Sequence, residues 1–243
     1  MTDTQDAIRQ NLAIVRERMK EAAAKAGRPE EQVRLLVVSK KQSIALIQQA
    51  IRAGIRYFGE NYPEEAAEKL AFFKKESSLE WDLIGHIQSR KAALVADGFN
   101  LIHSVDSLKI AEKLNRLRPE DSPAQRCLIE INIAAEENKD GYRLDSVEGR
   151  AHFYKELEAI ASCGRLDMVG LMGMPPLQTD PEKNRACFAA LRDLKDKLNG
   201  RFGLNLQELS MGTSHDYEIA IEEGATIIRL GEAILGKRIY QKE

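Results

Sequence analysis

From Thr4 to Ala26 the apolar residues Ile8, Leu12, Val15 and Met19 return at helical spacing, and Gly27-Arg28-Pro29 ends the pattern. This predicts an N-terminal helix within residues 1–28. After Val33 the rhythm changes. Short runs rich in Val, Ile and Leu alternate with amphipathic stretches, as in βα units around a parallel sheet. Strands are predicted over Arg34–Ser39, Arg56–Gly59, Glu80–Ile84, Leu101–Ser104, Arg126–Ile133, Leu166–Leu171, Glu208–Ser210 and Thr226–Leu230. Gly54, Gly98, Gly164 and Gly224 each close a helical stretch ahead of a strand, where a left-handed residue ends a helix at little cost. Ser43 reads as an N-cap for the stripe Ile44, Ile47 and Ile51, and Phe188, Leu191, Leu194 and Leu198 form another core-facing stripe.

Eight βα units with no antiparallel pattern predict an α/β fold, a single TIM-like (β/α)8 barrel behind the extra N-terminal helix. An open doubly wound sheet would want a glycine fingerprint after the first strand. Here that strand runs into Val37-Val38-Ser39-Lys40-Lys41. No linker or low-complexity tract divides the chain, so residues 1–243 are expected to form one domain, with the barrel over 33–238.

Composition narrows the partners. A 30% charged, 43% hydrophobic chain is globular in balance, and its formal charge of −2 carries no basic run that would attract nucleic acid. Cys127, Cys163 and Cys187 show no paired spacing, and His86, His103, His152 and His215 show no HxH or HExxH spacing, so neither disulfides nor a metal centre is expected. The first 25 residues lack the apolar core of a signal peptide, and no run of 18 apolar residues exists. No membrane span is expected, and the expected location is cytoplasmic.

In such a barrel, function sits at the C-terminal ends of the strands. Met211-Gly212-Thr213-Ser214 follows the seventh strand and Gly231-Glu232 the eighth, the usual places for a phosphate site. Two readings stand: a phosphate cradle, or helix capping by Thr213 or Ser214 with Gly231 turning a corner. Lys40 at the first strand end could present a neutral amine to an aldehyde, or could be a solvated surface charge. Arg229 interrupts an apolar strand, where it either forms an ion pair or faces an acceptor such as a pyridine nitrogen. Asn61, His86, His103 and Lys139 are open between packing and binding roles.

Taken together these pieces resemble the YggS/PROSC family of pyridoxal phosphate homeostasis proteins, from about Val33 to Arg238. The resemblance is carried by Val37–Lys40, Phe58–Tyr62, Trp81–Gln88, Ile102–Asp106, Gly170–Met174, Leu209–Gly212 and Gly224–Gly231, in that order. It implies the barrel of fold type III, like that of alanine racemase, and pyridoxal 5′-phosphate as cofactor. By position, Lys40 would carry the cofactor as a Schiff base and Arg229 would face its pyridine nitrogen. Ser214 and the backbone at Gly231 and Glu232 would hold the phosphate, Asn61 would lie near the ring and Lys139 at a secondary contact, with Met211 and His86 also expected among the cofactor-binding residues. Thr213 and Gly173 stand where the family often has methionine and threonine, and Arg90 where it often has asparagine.

The expected function is homeostasis of that cofactor without a dedicated reaction, with pyridoxal phosphate-dependent apo-enzymes as recipients. The competing reading is a small racemase. Alanine racemases add a second domain that supplies a tyrosine base across a dimer, and this chain ends at Glu243 soon after the eighth strand. A carrier, and a monomer, are therefore expected. A Schiff-base aldolase would leave Gly59–Tyr62 unexplained.

Overall fold

The computed structural model describes residues 2–136, 138–176 and 178–236; positions 237 and 238, the end of the expected barrel, lie outside them. Among the described residues, eight parallel strands form a closed barrel: β1 (Arg34–Val38), β2 (Tyr57–Glu60), β3 (Glu80–Leu83), β4 (Leu101–Val105), β5 (Gln125–Ile131), β6 (Leu166–Gly173), β7 (Glu208–Ser210) and β8 (Ile227–Leu230). Closure is made by β1 against β8, from Arg34 opposite Ile227 to Val37 opposite Leu230. The helices are α1 (Thr2–Lys25), α2 (Ile44–Arg52), α3 (Pro63–Phe72), α4 (Leu108–Leu117), α5 (Val147–Ala161), α6 (Arg185–Phe202), α7 (Tyr217–Glu222) and α8 (Glu232–Leu235). Between β3 and β4 the connection is a 3-10 helix, Ser89–Leu94, instead of an α-helix.

Each predicted strand is found, with ends displaced by at most two residues. β5 stops at Ile131 because the Asn132 side chain bends the chain: its Nδ2 donates to the carbonyls of Glu136 and Lys139, and its Oδ1 accepts from Glu136 N–H. Ser43 caps α2 as expected, its hydroxyl accepting from Leu46 N–H. Gly54, Gly98 and Gly224 take positive φ, whereas Gly164 does not. That expectation is corrected: α5 has already ended in right-handed Ser162, so no left-handed residue is needed at Gly164.

Helix α1 buries its Ile8, Leu12, Val15 and Met19 stripe against the barrel's outer shell, each side chain contributing about 1.5–3 kcal/mol. Asn11 on the same helix donates to the Ile234 carbonyl of α8, 3.1 Å away. Inside the barrel, Leu36, Leu101, Leu128, Met172 and Ile227 make a separate apolar cluster. Two residues further along β4, β5 and β8, on the same inward face, come His103, Glu130 and Arg229. The barrel is plugged with hydrocarbon and floored with polar groups toward its C-terminal mouth.

Candidate functional site

A cavity of about 370 Å³ opens at that mouth, with Lys40, Asn61, Thr213, Ser214, Arg229, Gly231 and Glu232 in its lining. Its apolar walls are Val38, Ile84, Met172 and Met174. A larger cavity of about 600 Å³ lies between α1 and the opposite ends of β1 and β2. Two of its three arginines are engaged, Arg34 with Glu80 and Arg56 with the carbonyls of Ile51 and Ile55, and it lies away from the strand ends where barrel function sits.

Lys40 stands at the corner of a turn just beyond β1. Gln42 N–H closes on the Ser39 carbonyl at 3.1 Å, and Lys41 takes φ 59°. On β8, the strand paired with β1, Arg229 is buried, with Nη1 donating to Ser210 Oγ at 2.6 Å and Nη2 to the Gly173 carbonyl at 3.2 Å. Its partners are a hydroxyl and a carbonyl, so the ion-pair reading is not what the structure shows. Burial pushes this guanidinium down to about 10, which still leaves it cationic at neutral pH.

Behind Arg229 runs a chain whose polarity can be assigned. Arginine only donates, so Ser210 Oγ must accept from it and has one hydrogen left. With the ring neutral and Asp82 Oδ2 an acceptor 3.1 Å from Nε2, Nε2 carries the ring hydrogen and Nδ1 accepts from Ser210 Oγ at 2.8 Å. Burial holds His103 below the usual imidazole range, in keeping with a neutral ring. Guanidinium and carboxylate are thus joined through two neutral links inside the barrel.

Asn61 reaches the cavity because Gly85 makes room: a Cβ there would land on the Asn61 backbone carbonyl. Asn61 lines the cavity, and its Oδ1 is buried without a hydrogen-bond partner. On the far rim, Gly212 at φ 91° has no room for a Cβ against Ala220, and its carbonyl accepts from Arg229 N–H. Asp216 Oδ1 accepts from Thr213 N–H and from its hydroxyl, so Thr213 is held by the residue that precedes α7. Neither Thr213 nor Ser214 caps that helix; Ser214 faces the cavity. By helix geometry, the first N–H groups of α8, next to Gly231, find no partner within it.

Three expected site residues lie off the lining. Met211 is fully buried in the outer core: Ser210 points inward, so the next residue must point out. His86 turns away to Asp106 Oδ2 at 2.9 Å and Asp140 Oδ1 at 3.3 Å. Lys139 pairs with Glu136 at 2.7 Å and donates to the Pro175 carbonyl, one residue beyond the cavity wall at Met174.

The fold is that of a closed parallel barrel with a lysine after its first strand and an arginine in its eighth at one mouth, beside hydroxyl and amide donors. The chain belongs to the family of the alanine racemase N-terminal domain, whose model matches residues 4–238. A protein of Escherichia coli K12 called "Pyridoxal phosphate homeostasis protein" is 38% identical over 97% of this chain and 99% of its own length. The solved structure of PipY from Synechococcus elongatus PCC7942 "with PLP bound" is 33% identical, with a TM-score of 0.81 over 94% of this chain and all of that one. Alanine racemase of Clostridium difficile 630 shares the fold alone, at 13% identity and a TM-score of 0.68.

Proposed function

We propose that the cavity holds pyridoxal 5′-phosphate as a Schiff base on Lys40, and that the protein serves homeostasis of that cofactor without a dedicated reaction. The observation that carries this reading is the convergence of Lys40, Asn61, Ser214 and Arg229 on one space of about 370 Å³, within the size range of small-molecule sites. The residues fit the group. The unpartnered Asn61 Oδ1 offers an acceptor, Ser214 with the backbone at Gly231 and Glu232 offers donors for an anion, and Arg229 offers a donor to a ring nitrogen. When bound, the cofactor supplies an aldehyde, which condenses with the Lys40 amine to a C=N bond with release of one water.

Arg229 is fixed by two hydrogen bonds and keeps its protons, so a ring nitrogen facing it would remain an acceptor. That makes the site suited to holding the cofactor and poor at drawing electrons from a bound substrate. Racemisation needs two proton-moving groups on opposite faces of one carbon. Apart from Lys40 and Arg229, the titratable groups in the lining are His215 and Glu232, both exposed at the rim. The carrier reading is favoured on this ground. It takes residues 1–243 as one binding unit, monomeric and cytoplasmic, with pyridoxal phosphate-dependent apo-enzymes as recipients. No described helix is long and apolar enough to cross a membrane. Met211, His86 and Lys139 would act through their neighbours, since they lie outside the lining.

Borohydride reduction of the loaded protein followed by digestion and mass spectrometry should place the pyridoxyl group on Lys40. Labelling mainly at Lys139 would overturn the assignment. Turnover of a D- or L-amino acid at about 1–1000 per second would defeat the carrier reading in favour of a racemase.

A further inference from the structure

The turn that presents Lys40 is gripped from behind by a buried ammonium that takes no part in the cavity. Lys69 on α3 is 3% exposed, and its Nζ lies 2.7 Å from the Ser39 carbonyl, 2.7 Å from Glu60 Oε1 and 2.6 Å from Glu65 Oε1. An ammonium has three N–H donors, and each has its acceptor here. Ser39 Oγ also donates to Glu60 Oε1 at 2.6 Å, and Lys41 N–H donates to Glu65 Oε1 at 2.6 Å. The residue before Lys40 is therefore held by its carbonyl and its hydroxyl, and the residue after it by its amide. Lys41 is left-handed at φ 59°, a conformation that a lysine adopts only under constraint. The contact to Glu65 supplies that constraint.

We propose that Lys69, acting with Glu60 and Glu65, is a positioning residue that sets the backbone from which Lys40 reaches an aldehyde. The proposal rests on the reading that Lys40 is the point of covalent attachment. Chemically the step is unchanged: the Lys40 nitrogen bonds to the aldehyde carbon and the carbonyl oxygen leaves as water. What the clamp adds is orientation, and a displacement of about 1 Å at a reacting atom can cost up to about a hundredfold in rate. Ser214, Arg229 and α8, which would hold the anion and the ring, belong to β8 and to the loops after β7 and β8 and are not among the clamp's hydrogen-bond partners.

The test compares two probes on the full-length protein. Pyridoxal 5′-phosphate can condense with an amine; pyridoxine 5′-phosphate, with an alcohol in place of the aldehyde, cannot. Lys69→Met alone would strand Glu60 as an unpaired buried carboxylate, so the pair Lys69→Met/Glu60→Met removes both charges together. Glu65→Ala is the second variant; its carboxylate is 26% exposed, and folding without it is expected. Both variants should lose about tenfold or more in the rate of covalent attachment, read by borohydride trapping, while pyridoxine 5′-phosphate affinity stays within about twofold. Equal losses for the two probes would show a merely structural role and overturn the proposal, as would attachment at the wild-type rate. If the pair fails to fold, the Glu65→Ala result decides. An unaltered protein that forms no adduct at Lys40 would instead defeat the function proposed above, before any variant is compared.

Discussion

Replacing Ser210 by alanine removes one oxygen and strands two groups. Arg229 Nη1 loses the acceptor at 2.6 Å, and His103 Nδ1 loses the donor at 2.8 Å. Both groups are buried, Arg229 being 5% exposed and His103 fully so. An unsatisfied buried neutral group costs about 1–3 kcal/mol and a charged donor more, so the expected loss is about 2–4 kcal/mol. For a chain of this length that is about 5–15 °C in Tm. Ser104→Ala is the matched control: it is equally buried, but its hydroxyl donates only to the Gly85 carbonyl, and its loss should cost about 1 kcal/mol. Urea unfolding of both variants at neutral pH, with unchanged m-values, measures the difference. If the two serines cost the same, Arg229 and His103 are not linked through Ser210, and the assigned direction of the chain is wrong.

Burial, then the nearby Asp106 and Asp140 carboxylates, push Glu130 up to about 7 from the usual 4.5. Because the folded state holds this proton more tightly, stability from Glu130 is present below 4.5 and is lost as pH rises through 7. Glu130→Gln should therefore match wild type near pH 4.5 and exceed it at pH 8 by on the order of 3 kcal/mol, read from urea midpoints at the two pH values. A constant difference across that range would refute the buried acid. Gly85→Ala should drive the Asn61 backbone aside, costing about 1–3 kcal/mol of stability and weakening cofactor binding in titrations while Lys40 remains intact. Lys40→Ala, at a half-exposed turn, should abolish borohydride labelling while leaving the circular dichroism and the urea midpoint within about 0.5 kcal/mol of wild type.

The barrel was legible because parallel strands buried on both faces read as β-branched runs, and the chain repeats that signal at every unit. Arg229 stood out in the sequence for a related reason: it is a cation set into such a run, whereas Lys40, just after one, drew notice only together with the other strand ends. Met211 could have been excluded by the same period of two, since Ser210 and Met211 cannot both face inward. The chain behind Arg229 was not readable. Ser210 and His103 are 107 residues apart, and His103 and Asp82 are 21 apart on neighbouring strands, so only barrel closure and register bring them together. Lys69 was hidden more thoroughly. In Glu64-Glu65-Ala66-Ala67-Glu68-Lys69 it has the look of a solvated helix face, yet α3 packs it against Ser39 and Glu60. His86 and Lys139 fall beyond the lining because loop geometry after β3 and β5, unlike strand geometry, carries no period that fixes where a side chain points.

The division of the barrel interior explains how a cation can sit at its centre. Leu36, Leu101, Leu128, Met172 and Ile227 exclude water beneath, so a cation above them is costly unless it finds partners within the protein. Arg229 does so without a direct carboxylate: its charge is relayed by Ser210 and His103 to Asp82. A carboxylate in contact with the guanidinium would take up its N–H donors in a bidentate pair. Held by one hydroxyl and one carbonyl, the group keeps further N–H donors for the cavity while its position stays fixed. On the other wall, Lys69 and its two glutamates hold the turn of Lys40 from outside. The two cations of the cavity lining are thus flanked by separate buried networks, one within the barrel and one between strand and helix, and damage to either should leave the other's proposed contribution to binding measurable.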